Sequence, residues 1–93
     1  MKNRITKEKL EKYFSLTSNA LEIAKKSVTK NKKKEAHEII SMVSNYLSDA
    51  EYFKKNRDFV SSFAALNYAH GWLDSGARLG IFNVKDDRLF TIK

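Results

Sequence analysis

Ninety-three residues without one proline, and with only three glycines, leave few places where a helix must stop. Proline inside a helix costs about 3 kcal/mol and glycine about 1 kcal/mol relative to alanine. A chain almost free of both is permissive of long, uninterrupted helices, and its breaks must come from weaker signals. The length fits one domain that can bury about two-thirds of its unfolded surface. Hydrophobic residues at 42% and charged residues at 31% are ordinary globular values.

The hydrophobic spacing divides the chain into three segments. From residue 6 to about 29, Leu10, Phe14, Leu21, Ala24 and Val28 recur at three- and four-residue steps and share one helical face. Thr6 is the expected N-cap, with Glu8 in the first turn. A second amphipathic helix over about 34–55 is marked by Ala36, Ile39, Ile40, Val43, Tyr46, Leu47, Ala50 and Phe53. Asn56 is expected to take the left-handed turn that ends it, with Asp58 capping the next helix two residues later.

The third helix, over about 58–79, carries a wider apolar arc. Phe59, Ser62, Leu66, Ala69, Leu73 and Ala77 make one side, extended by Ala65, Tyr68, Trp72 and Leu79. That breadth predicts packing against two neighbours, with both Trp72 and Leu73 buried. Gly71 and Gly76 predict close approach of another group to the helix, and Gly80 its C-terminal stop, with Ile81 making the accompanying apolar contact. Beyond it, Ile81-Phe82-Asn83-Val84 and Leu89-Phe90-Thr91-Ile92 read as two strand-like pieces around a charged turn. The expected fold is all-α: a single domain over 1–93, a three-helix up-down antiparallel bundle with a short extended C-terminal tail over 81–93. The tail's six large apolar residues need cover, either from their own bundle or from a second subunit.

The string from Phe63 to Gly80, FAALNYAHGWLDSGARLG, resembles the signature of a small archaeal family known only as domain of unknown function 357. The likeness extends to Ile5-Thr6 with Lys9-Leu10, to Ala50-Glu51-Tyr52-Phe53 and to Leu89-Phe90-Thr91. What the resemblance implies is a helical bundle of archaeal origin and no assigned activity.

Several chemistries lack their residues. There is no cysteine, hence no disulfide, thiolate nucleophile or cysteine-based metal site. His37-Glu38-Ile39-Ile40-Ser41 begins like a helical zinc motif but places serine where the second histidine is required. Small helical nucleases resemble an arginine four to six residues ahead of a histidine; here the nearest arginine before His70 is Arg57. The chain is expected to be no enzyme, with no catalytic residue, metal or cofactor. No segment reads as a leader or a membrane span, so a cytoplasmic location without membrane contact is expected.

Two surfaces remain as candidates for binding. Asn67, His70, Asp74 and Arg78 form a polar strip on the third helix, with donors and acceptors for a ligand and an ion-pair spacing between Asp74 and Arg78. Lys25, Lys26, Lys30, Lys32, Lys33 and Lys34 crowd the first turn of a chain with net charge +7, and Lys30–Lys33 should be exposed. Clustered lysines suit weak, salt-sensitive contact with nucleic acid, although no aromatics interleave them. The preferred expectation is a protein-interaction or self-associating module using the C-terminal tail and third helix, as a homo-oligomer or with a protein partner. Weak nonspecific RNA or DNA binding through the lysine-rich turn is the alternative.

Overall fold

A computed structural model describes residues 5–85 and 88–90. Three helices follow one another: α1 (Lys7–Lys25), α2 (Lys33–Lys55) and α3 (Phe59–Arg78). They form an elongated three-helix bundle of 44 × 23 × 16 Å, in which α3 packs on both partners and α1 touches α2 least.

α1 begins where Thr6 caps it, its hydroxyl accepting from the Lys9 N–H at 3.1 Å. The helix stops at Lys25, four residues short of the expected end. The Ser27 hydroxyl donates back to the Ile23 carbonyl at 2.8 Å, and the chain then runs extended through Val28 and Thr29. Both are β-branched residues that favour extended backbone.

The link between α2 and α3 is shorter and tightly bonded. The Arg57 N–H donates to the Lys54 carbonyl and the Asp58 N–H to the Phe53 carbonyl, at 3.0 and 2.9 Å. This double closure terminates α2 with Arg57, not Asn56, in the left-handed conformation (φ 60°). Asn56 instead keeps φ −89° and donates its side-chain amide to the Tyr52 carbonyl. Asp58 then caps α3, accepting from the Ser61 N–H at 3.1 Å. Hydrogen bonds from the Ser61 side chain and backbone hold its carboxyl below the usual aspartate range.

α3 ends on the same motif, with glycine in the special position. The Gly80 N–H donates to the Ala77 carbonyl and the Ile81 N–H to the Gly76 carbonyl, with Gly80 at φ 76° and Ile81 buried, as expected. The tail does not make a hairpin of its own. Phe82 pairs antiparallel with Val28, flanked by the Thr29 N–H donating to the Ile81 carbonyl and the Asn83 N–H donating to the Ser27 carbonyl. The first connection and the tail are thus sewn together by backbone bonds.

The tail residues complete the core. Ile81, Phe82 and Phe90 are buried and Val84 and Leu89 pack against them, so these five fold back on their own bundle; Thr91 and Ile92 lie outside the described residues. A Cβ on Gly76 would stand 2.5 and 2.6 Å from the Phe82 ring and 3.1 Å from Ile39 Cδ1. Gly76 is therefore the close approach expected from the sequence, because only hydrogen leaves room for that ring. At Gly71 a Cβ would meet nothing within 4 Å, so the corresponding expectation fails there.

Two apolar clusters result. The larger unites Ala20, Leu21, Ala24, Ala36, Ile39, Val43, Ala69 and Leu73 with the tail. The smaller, at the other end, is centred on Leu10, Ala50, Ala65 and Leu66. Two polar side chains are buried among them: Ser62, whose hydroxyl donates to the Ala50 carbonyl at 2.7 Å, and Thr17.

Candidate functional site

The polar strip of α3 divides when its surroundings are built. Asn67, His70 and Asp74 face a pocket of about 360 Å³ between α1 and α3, walled on the α1 side by Tyr13 and Thr17 and crossed by Arg88 and Leu89 from the tail. Arg78 is exposed and lies outside this pocket. The basic group at the pocket is Arg88, which the sequence strip omits because it lies ten residues beyond Arg78 and arrives only when the tail folds back.

His70 is the centre of this arrangement. Its Nε2 stands 2.7 Å from the Leu89 carbonyl and its Nδ1 3.3 Å from the Thr17 hydroxyl. A carbonyl can only accept, so Nε2 carries a proton, and in the neutral ring Nδ1 accepts from Thr17. Asp74 Oδ1 lies 3.8 Å from Nε2, along the same helix. Hydroxyl, imidazole and carboxylate in this order resemble the pattern of a nucleophilic site. Accessibility argues against that use, since Thr17 is only 1% exposed and Nε2 is already capped by Leu89. The ring acts as a bolt joining α1, α3 and the tail.

Thr17 was legible as a site residue through one signal. It fills the gap between Phe14 and Leu21 in the apolar stripe of α1, where a lone hydroxyl must find a partner when buried.

The other side of α3 holds a different surface. Trp72, expected to be buried, is 39% exposed, while its neighbour Leu73 is fully buried. Tyr68 at 63% and Leu79 at 72%, also expected to extend the packed arc, face outward with Val60 at 64%. Among the described residues α3 has only α1 and α2 to pack against, and they cover the side bearing Leu66, Ala69 and Leu73. The second half of the wide arc is left without a neighbour. Between its large residues lie Ala64, Gly71 and Ser75, giving shallow grooves beside Tyr68 and Trp72. Tyr68 stacks on Tyr46 of α2, rings 5.5 Å apart and 18° from parallel.

The sequence model described as a protein of unknown function, DUF357, matches residues 12–82. The chain belongs to the DUF357 family. Comparison with curated proteins and with solved structures gives no match. The matched span in this DUF357 protein takes in all of α2 and α3, the outward face of α3 included, and ends at Phe82.

The lysine group sits about the tail-covered end. Lys25, Lys26, Lys30, Lys33 and Lys34 are exposed and Lys32 is half-buried, much as expected. Lys25 pairs with Glu22 at 3.3 Å. Among the described residues no group of three or more His, Asp or Glu side chains could hold a metal ion, and no helix is long and apolar enough to cross a membrane.

Proposed function

We propose that this DUF357 protein is a non-enzymatic protein-interaction module whose contact surface is the outward face of α3. One observation carries the reading. Of the five large apolar side chains exposed among the described residues, Val60, Tyr68, Trp72 and Leu79 all lie on α3 or its C-cap. Singly exposed apolar residues need no explanation, but a continuous stripe with aromatic residues at its centre is the composition of a contact surface. The tail, the other source of apolar surface, is largely taken up by its own bundle, which leaves α3 as the surface on offer.

A photo-crosslinking amino acid placed at Ser75, in the stripe, is compared in cells with one at Glu11, on the exposed side of α1. The expected result is an adduct of defined mass from position 75 and none from position 11. Equal, diffuse labelling from both positions would remove the reading.

A second reading rests on the exposed lysines around residues 25–34. Lysine–phosphate contacts release counterions, so any RNA or DNA affinity should fall steeply between two salt concentrations in a fluorescence titration. Replacing Lys30, Lys32, Lys33 and Lys34 by glutamate should abolish it. No binding by the parent at low salt sinks this alternative.

A further inference from the structure

The outward face of α3 is self-complementary, and we infer that its partner is a second copy of this chain, docked α3 to antiparallel α3 about a twofold axis. The inference rests on the interaction reading above and names the occupant of that surface. An axis crossing α3 midway between Ala69 and His70 pairs residue with residue across the interface. Tyr68, the bulky exposed ring, falls opposite Gly71, where even an added Cβ would meet nothing within 4 Å. Val60 and Leu79 fall at the same level on the two edges of the interface, about 50° to either side of its centre, so each exposed aliphatic side chain flanks the seam. Ala64 falls opposite Ser75, two small residues that let the backbones approach. At about 100° per residue, each of these pairs averages to one direction, near the middle of the apolar stripe. One twofold axis therefore serves them all, as a self-complementary interface requires.

Charge fits the same register. Arg78, in the last turn, is brought opposite Ser61, in the first turn of the partner, beside the Asp58 carboxylate that accepts from the Ser61 N–H. Those hydrogen bonds favour the charged form of the Asp58 carboxyl. Two symmetry-related Arg78–Asp58 contacts would close the ends of the pair. The antiparallel arrangement also sets each helix C-terminus beside an N-terminus, the favourable sense for their dipoles.

Light scattering of the full chain over a range of concentrations should give twice the chain mass of 10.8 kDa. Gly71→Glu should stay folded and keep the parent's helical content, because an added Cβ there meets nothing within 4 Å and glutamate is a better helix former than glycine. Its mass should nevertheless fall to that of one chain. The absence of native cysteine permits a register test. An equimolar mixture of Ala64→Cys and Ser75→Cys chains should form a mixed disulfide on mild oxidation. Neither variant alone should, since each would sit about 16 Å from its own symmetry mate. A parent that stays at 10.8 kDa, a dimeric Gly71→Glu variant, or a dimer without the mixed disulfide overturns the proposal. A monomeric parent that still yields a defined adduct to another protein from position 75 would overturn self-pairing and leave the interaction reading intact.

Discussion

The two ends of the bundle are sealed in different ways. At the end where α1 and α2 are joined, chain closes over chain: Ile81, Phe82 and Phe90 are buried and backbone bonds tie the tail to residues 27–29. At the opposite end no segment crosses the core among the described residues. Tyr13 and Phe63 meet edge to face at 5.0 Å, and lysines lie over the aromatic rim, Lys54 4.7 Å from the Phe14 ring centre and Lys9 5.8 Å from that of Phe63. Exposed cation–π contacts contribute about 0.5–1 kcal/mol, well below the burial of one large side chain. The tail-covered end should therefore be the stiff one, and the lysine-roofed end the one that relaxes around a defect.

Phe82→Ala should break the comparison most severely. Its ring is 1% exposed and wedged over Gly76, so the truncation should cost about 3–5 kcal/mol by chemical denaturation. Leu10→Ala, at the other end, removes a fully buried side chain whose neighbours Ile5, Tyr13 and Phe14 are only partly buried. They can collapse into the space, and the loss should be about 2–3 kcal/mol, the lower part of the range for such truncations. Equal losses at the two sites would mean that the ends do not differ in stiffness.

Smaller changes test the turn beside the lysine-roofed end. Arg57 holds φ 60°, a conformation that costs an ordinary residue about 1–2 kcal/mol. Part of that is offset because arginine has less unfolded freedom to lose than glycine, so Arg57→Gly should gain about 0.5–1 kcal/mol in a thermal melt. Asp58 gives the smallest effect. Its folded carboxyl titrates below its unfolded value, so its contribution is present above the unfolded pKa and lost as pH falls through the folded one. Asp58→Asn should flatten the acid side of the stability–pH curve. An unchanged acid limb would show that the cap does not couple to folding.

The helices were legible because their apolar spacing is regular and their caps are local. Thr6, Asp58 and Gly80 each act within a few residues of themselves. The left-handed residue of the second turn was missed by one position, since Asn56 is the better candidate by propensity but the two closing bonds select the residue after it. The faces of α3 were half legible. Periodicity shows that Tyr68, Trp72 and Leu79 are apolar and adjacent, but not which part of a wide arc the two neighbours cover, and here both pack on the side bearing Leu66, Ala69 and Leu73. The pocket around His70 was legible for Asn67, His70 and Asp74, which share a helix. Arg88 and Leu89 were not, because they reach it through the pairing of residues 27–29 with 81–83.

That pairing also orders events in time. The α2–α3 hairpin closes through contacts only a few residues apart, at Arg57 and Asp58, and can form early. The bond from Thr29 to Gly80 spans 51 residues. Contacts of that range form late in folding, because the intervening loop must be closed before they yield anything. During synthesis the stretch after α1 must wait unpaired until nearly the whole described chain has been made, with Val28 lacking its strand partner throughout. A chaperone or a misplaced neighbour would find its opening there.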